Sequence, residues 1–176
     1  VDMNIAQLQF GVLSPARLRQ ISVCEVVTDE LYAENKPKQG GLRDPRFGVS
    51  GRRGQCTACG KTWSDCSGHF GHYELPCPVF HVGWMTEVLQ WLRRACVCGH
   101  VSATPLSKKC HVCKQLPARF SRKNATSLTI QDDKGLRVLM ASEAYARLVL
   151  IPQSQVCHFR TNQDDFHPSW LILQVL

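Results

Sequence analysis

No apolar run in the sequence approaches the ~18 residues of a membrane-spanning helix. The opening V-D-M-N-I-A-Q lacks the charged-then-apolar order of a signal peptide. Both absences point to a soluble, intracellular chain with no membrane partner. There is no low-complexity run and no Ser/His/Asp triad or phosphate-binding glycine loop. Hydrolytic and nucleotide-hydrolysing chemistry therefore have no visible seat in this chain. Acidic residues are absent between Glu87 and Asp132, whereas Arg93, Arg94, Lys108, Lys109, Lys114, Arg119, Arg122 and Lys123 all lie there.

Cysteine is plentiful, ten in 176 residues, and it is clustered: three between 56 and 66, four between 96 and 113. Scattered cysteines suit disulfides in an oxidising compartment, whereas clusters in a reducing one suit metal. Disulfides are the competing reading. Cys56 and Cys59 stand two residues apart, and Cys66 and His69 repeat the gap after a six-residue loop. Each pair can chelate one ion, and three sulfurs with one imidazole make the closed tetrahedral set of a structural Zn²⁺ site. His72 is a reserve ligand or a hydrogen-bond donor to nearby backbone. Cys96-x-Cys98 and Cys110-x-x-Cys113, eleven residues apart, offer four sulfurs for a second Zn²⁺, with His100 and His111 as rival ligands or loop residues. Apart from these two segments the chain has no internal repeat. Bound thiols ionise, so two filled sites lower the formal charge from +7 to about +4. Cys24, Cys77 and Cys157 are left over as small core residues.

Two readings fit the basic stretch. A run of one sign suits a polyanion such as nucleic acid. Equally, it offsets the thiolates of its own metal site. Around it, Ala6, Leu8, Phe10 and Val12 alternate as a strand, and Ser14-Pro15 starts a short helix through about Ile21. Val23, Val26 and Val27 suggest a second strand within 22–32. The glycines and prolines of 33–54 make a loop. Val82, Met85, Val88, Leu89 and Leu92 share one face of a helix over about 79–94, with Phe80, Trp84 and Trp91 packing the knuckle against the core. Thr126, Leu128 and Ile130 alternate as a strand. Ser142 caps a helix that Pro152 stops. The run W-L-I-L-Q-V-L at 170–176 is a strand signal that meets the chain end with no turn, which suggests a fragment of a longer protein. The paired acids Asp132-Asp133 and Asp164-Asp165 read as solvated turns. His72-Tyr73-Glu74 with Pro76-Cys77 imitates a zinc-deaminase signature, but its halves are too close and position 80 is Phe.

The motifs together resemble the N-terminus of the largest subunit of nuclear-type DNA-directed RNA polymerases. The pieces are L-Q-F-G-V-L-S-P at 8–15, G-G-L-R-D-P-R-F-G-V at 40–49, C-x-x-C-x₆-C-S-G-H-F-G-H-Y-E-L at 56–75, P-V-F-H-V-G-W at 78–84 and H-P-S-W-L-I-L-Q-V-L at 167–176. They are most similar to RNA polymerase II, although V-V-T-D-E-L-Y at 26–32 is more like polymerase III. The resemblance implies an α+β, zinc-stapled piece of the clamp, a mobile module that closes over DNA and the RNA–DNA hybrid. It implies a clamp-core portion over 1–92, a clamp head over 93–160 and a returning strand over 161–176. It also implies nuclear transcription, DNA and hybrid as partners beside the second-largest and smaller subunits, and two structural Zn²⁺ ions. The first ligand set is implied at Cys56, Cys59, Cys66 and His69, and a second zinc site in the head, where this chain is more compact and has C-x-C. The nucleotidyltransferase centre, with its Mg²⁺ and the motif N-A-D-F-D-G-D, would lie beyond this chain, which contributes retention of nucleic acid. Phosphate contacts are expected from Lys108, Lys109, Arg122 and Lys123. The alternative is a free-standing zinc module that binds nucleic acid or a protein partner.

Overall fold

Pro15 opens the first helix, where its fixed φ suits a position whose amide needs no partner. The computed structural model describes residues 11–49, 51–156 and 166–176. Helices α1 (Pro15–Ile21), α2 (Met85–Arg94), α3 (Ala141–Leu148) and α4 (Gln153–Val156) are interleaved with seven strands. These are β1 (Tyr32–Ala33), β2 (Lys36–Pro37), β3 (Glu74–Phe80), β4 (Arg119–Arg122), β5 (Leu128–Asp132), β6 (Gly135–Leu139) and β7 (Ile172–Val175). Helices and small sheets in one chain make this an α+β protein. It divides into two units, one built mainly on Phe80–Ile172 and the other on Pro15–Val79 with Leu173–Leu176.

The Phe80–Ile172 unit holds the hydrophobic core. Met85, Val88, Leu89, Trp91 and Leu92 on α2 are buried, each such side chain contributing about 1.5–3 kcal/mol. They meet Phe120, Leu128, Ile130 and Leu139 from a three-stranded antiparallel sheet of order β4-β5-β6. The register sets Phe120 opposite Ile130 and Leu128 opposite Leu139. Thr129 and Gln131 alternate with Leu128 and Ile130 and so point the other way. Ala144 and Leu148 of α3, Val156 of α4 and Phe166, Leu171 and Ile172 complete the cluster. Arg93 closes one open edge of the sheet, its Nε donating to the Phe120 carbonyl at 3.0 Å. Phe80 and Trp84 pack against this core.

The Pro15–Val79 unit is built differently. Its buried hydrophobic side chains among the described residues are Cys24, Cys56 and Val175 alone. Backbone hydrogen bonds tie it together: Val23 and Val26 donate to the carbonyls of Phe70 and His72, and His72 donates to that of Cys24. The β3-β7 pair closes it, with Tyr73 and Leu176 exchanging reciprocal bonds of 2.7 and 3.0 Å. So little buried apolar surface does not hold a unit of this size unaided.

Several expected elements differ. The strand over 6–12 lies mostly outside the described residues, and 11–14 carry no regular element. In place of the strand expected within 22–32, residues 22–31 make a single bridge, Glu25 to His72, and Tyr32 opens the short β1. Their partners are split: Val27 and Thr28 turn away to the Gly40 carbonyl, so no ladder forms. The helix expected from 79 begins at Met85, after β3 and a 3₁₀ turn at Val82–Trp84, and Val82 is exposed. Pro76 and Pro78 hide β3 in the sequence; they are tolerated because, among the described residues, β3 has one neighbour and one open edge. The residue that precedes helix α3 is Met140, not Ser142, and Glu143 supplies the cap: its carboxylate accepts from the Met140 N–H at 3.3 Å. The last strand begins at Ile172, because Pro168–Leu171 form a 3₁₀ turn that His167 Nδ1 caps by accepting from the Ser169 N–H. β4, β6 and α4 carry no alternation or cap strong enough to find them.

Candidate metal centres

The first ligand pair sits on a tight turn. The Cys56 N–H donates to the Lys61 carbonyl at 2.9 Å, and the Gly60 N–H returns to the Cys56 carbonyl at 2.8 Å. Gly60 closes the turn with φ +69°, a left-handed backbone that glycine adopts without strain. The second pair follows a turn in which the Cys66 N–H donates to the Thr62 carbonyl at 3.0 Å. His69 is then anchored from outside, its N–H donating to the Phe47 carbonyl at 2.9 Å.

The ligand atoms of Cys56, Cys59, Cys66 and His69 all lie within 4.8 Å of one another. Cys59 and Cys66 Sγ are 3.7 Å apart, and Cys66 Sγ is 3.6 Å from His69 Nε2. Tetrahedral Zn–S bonds of about 2.3 Å set sulfurs about 3.8 Å apart, and a Zn–N bond of about 2.0–2.1 Å sets nitrogen about 3.6 Å from sulfur. The donor set fits a closed zinc site on both counts. A disulfide requires sulfurs at about 2.05 Å, so the disulfide reading fails here.

The second set repeats this local design. The Cys110 N–H donates to the Gln115 carbonyl and the Lys114 N–H to the Cys110 carbonyl, both at 2.9 Å. Lys114 takes φ +61° where the first turn has Gly60. The C-x-C turn is the same loop one residue shorter: Cys96 N–H to the His100 carbonyl at 2.8 Å, Gly99 N–H to the Cys96 carbonyl at 3.0 Å. Gly99 is required twice, by φ +82° and because a Cβ would meet the Leu150 carbonyl oxygen at 2.2 Å. The four sulfurs lie within 4.8 Å, with Cys96 to Cys113 at 3.4 Å and Cys98 to Cys110 at 3.8 Å. All nine cysteines among the described residues are free thiols.

Local fields favour ionisation at one sulfur of each set. Burial pushes the Cys56 thiol up, but the N–H groups of Cys59 and Ala58 outweigh it and bring it down to about 7. The Cys113 N–H likewise brings Cys110 down to about 7. Burial drives Cys96 up to about 12. A divalent cation at the centre would displace its proton.

A support that the sequence reading missed stands beside the first set. Asp44 is buried, and its Oδ2 accepts from the Gly40 N–H at 2.6 Å and from Arg46 Nη2 at 2.6 Å. Its Oδ1 accepts from the Arg46 N–H and Nε, both at 2.9 Å. This clamp shapes the loop that presents the Phe47 carbonyl to His69 and the Arg46 carbonyl to Cys56 Sγ at 3.9 Å. The signal was available: an aspartate two residues before its backbone donor, in a glycine-rich loop, is an Asx turn.

The rival ligands stand aside. His72 Nδ1 pairs with Ser22 Oγ at 2.7 Å, a side chain and not the backbone expected. His100 and His111 pack edge to face, centroids 4.3 Å apart. Of the left-over cysteines, Cys24 is buried but Cys77 is exposed on β3, which corrects its core assignment; Cys157 is outside the described residues. Asp132 forms the expected turn, accepting from the Lys134 N–H at 2.9 Å, and also pairs with Arg137 at 3.3 Å; Asp164-Asp165 lie outside the described residues. Lys108 and Lys109 are exposed in the loop into Cys110, while Arg122 and Lys123 are exposed at the end of β4. The Arg122 guanidinium is partly committed, to the Asn124 and Ala125 carbonyls at 2.9 and 3.2 Å. Among the described residues no helix is long and apolar enough to cross a membrane.

Residues 2–118 match the family model described as RNA polymerase Rpb1, domain 1. All eight candidate ligands fall inside that stretch. The chain is also similar to DNA-directed RNA polymerase subunit Rpo1N of Sulfolobus acidocaldarius, with 30% identity over 207 residues, 98% of this chain and 24% of the relative. The chain thus spans about a quarter of that relative's length.

Proposed function

The chain belongs to the RNA polymerase Rpb1 domain 1 family, and on that premise we propose that it is the N-terminal clamp part of the largest subunit of a DNA-directed RNA polymerase. In this reading it helps retain DNA and the RNA–DNA hybrid during transcription, in contact with the second-largest and smaller subunits. Nucleotidyl transfer belongs to the whole enzyme, with Mg²⁺ held outside these residues. The observation that carries the reading is that one family match spans both ligand sets.

Cys56, Cys59, Cys66 and His69 hold one Zn²⁺, and Cys96, Cys98, Cys110 and Cys113 a second. Four protein ligands at each leave no position for a reactive water, so both centres are structural. The division by role is clamp core over 1–92, clamp head over 93–160 and a returning strand over 161–176. Lys108, Lys109, Arg122 and Lys123 supply phosphate contacts of the head, which position nucleic acid without reading its sequence. A nuclear location is part of the proposal and rests on the resemblance to nuclear polymerases alone, the named relative being archaeal.

The test is charge reversal of these four residues to Glu in the assembled polymerase. Template retention then falls at raised salt, and the slope of log affinity against log salt drops by about 0.9 for each lost phosphate contact. An unchanged slope contradicts the proposal.

A further inference from the structure

The two outer strands of the sheet β4-β5-β6 are finished differently. Asp132 and Gly135 close the β5-β6 hairpin across a two-residue turn. The pair that closes such a turn is hydrogen bonded, and in an antiparallel ladder bonded pairs alternate with unbonded ones. Gly135, Arg137 and Leu139 therefore bond to β5, whereas Leu136 and Val138 point N–H and C=O away from it. By the same alternation β5 bonds to β4 through Thr129 and Gln131, which leaves Phe120 and Arg122 pointing outward from β4. The Phe120 carbonyl accepts from Arg93 Nε at 3.0 Å, and Arg119 and Arg122 are exposed cations on that strand. Charge on an edge strand keeps foreign strands away, so β4 is guarded.

β6 is not. Among the described residues no other group bonds to the backbone of Leu136 or Val138. The free edge ends at Met140, whose N–H goes to Glu143 and whose carbonyl accepts from the Ala144 N–H. Leu136, Val138 and Met140 recur every second residue and are 72%, 45% and 62% exposed. The charge on β6 belongs to Arg137, which shares the core side of the sheet with Ile130. It is matched there by Glu143 at 2.6 Å and Asp132 at 3.3 Å. Two free donors, two free acceptors and an apolar row thus coincide on one open edge.

We propose that the open edge of β6 docks an extended segment of another polypeptide, which adds an antiparallel strand, pairs its backbone with Leu136 and Val138 and lays apolar side chains beside theirs. Residues directly opposite each other in an antiparallel pair share a face of the sheet. The guest is therefore apolar where its N–H points at β6 and polar at the positions between. Nucleic acid does not fit, because the row beside the edge carries no cation. A second copy of this chain does not fit either. β6 is five residues long, and two such strands bury far less than the roughly 1,200 Å² at the low end of stable interfaces. This inference goes beyond the retention proposed above and uses none of Lys108, Lys109, Arg122 or Lys123.

The experiment adds a synthetic peptide, Lys-Lys-Thr-Val-Thr-Val-Thr-Lys-Lys, to the metal-loaded chain and follows amide hydrogen exchange by NMR. Millimolar peptide is expected to slow exchange at Leu136 and Val138 and to leave Phe120 and Arg122 unchanged. N-methylation of both valines removes the donors that face β6 and abolishes binding, whereas N-methylation of the threonines beside them blocks only the far edge and leaves binding intact. Val138→Pro removes an outward donor without touching the bonds to β5, a position where an edge strand tolerates proline. It weakens binding by roughly 2- to 10-fold. Leu136→Thr keeps a strand-forming residue, removes apolar contact and also weakens binding. Unchanged metal content and circular dichroism establish that both variants fold. Exchange at Leu136 and Val138 unaltered by the peptide, or binding that survives N-methylation of both valines, overturns the proposal. So does a dimer in sedimentation equilibrium that Val138→Pro dissolves, which assigns the edge to a second copy. Both variants keep the four cations of the head, so failure at β6 leaves the retention reading standing, and the reverse holds.

Discussion

Lys114 adopts in the second metal loop the left-handed backbone that Gly60 adopts in the first, φ +61° against +69°. The two turns are otherwise alike, with the first cysteine's amide and carbonyl bonded to the same relative partners. Glycine reaches this conformation freely, whereas a residue with a Cβ is strained by about 1 kcal/mol. Lys114→Gly is therefore expected to stabilise the loop by about 0.5–1 kcal/mol, read as slower loss of the second metal to a chelator and a higher melting temperature. Faster metal loss would show that the lysine side chain itself holds the turn.

Asp44 yields a prediction in pH. The Arg46 guanidinium and the N–H groups of Gly40 and Arg46 hold its carboxyl well below the usual carboxylate range, against the opposing effect of burial. Its folded value is thus lower than its unfolded value of about 3.9. Ionised Asp44 then contributes stability in full above about pH 4, and that contribution is lost as pH falls from there through the folded value. Asp44→Asn should destabilise the Pro15–Val79 unit by about 2–3 kcal/mol near neutrality, with the gap to the parent closing below about pH 4. Melting of both proteins across that range checks it; a gap constant with pH would show that shape and not charge matters.

The two ligand sets stand in different units, so each can be removed alone. Cys59→Ser should halve the metal content, from two sites to one, and unfold residues 50–80, where little buried apolar surface is left to resist. Limited proteolysis should then cut within that segment while the Phe80–Ile172 core persists. Retention of both metal equivalents and of the parent's melting curve would contradict this.

Cysteine and histidine spacing made both side-chain clusters legible, because chelation is local: two candidate ligands on one turn need only a short sequence to meet. Amphipathic α2 was legible for the same reason, its apolar face being written at helical period. What escaped was set by distant partners. β3 carries two prolines and exists because β7 pairs with it. Asp44 is an ordinary loop acid until Gly40 and Arg46 enclose it. The expected strand over 22–32 fails because its amides find acceptors on two different segments, Phe70 and His72 on one and Gly40 on the other.

The central claim is that two closed metal centres hold this chain together and take no part in bond chemistry. X-ray absorption at the zinc edge of the metal-loaded protein tests it most directly. The account predicts a shell of sulfur at about 2.3 Å with a minor nitrogen contribution at about 2.0–2.1 Å, and no water ligand. An oxygen ligand from solvent at either centre, or a protein that binds no zinc and carries disulfides in its place, would contradict it.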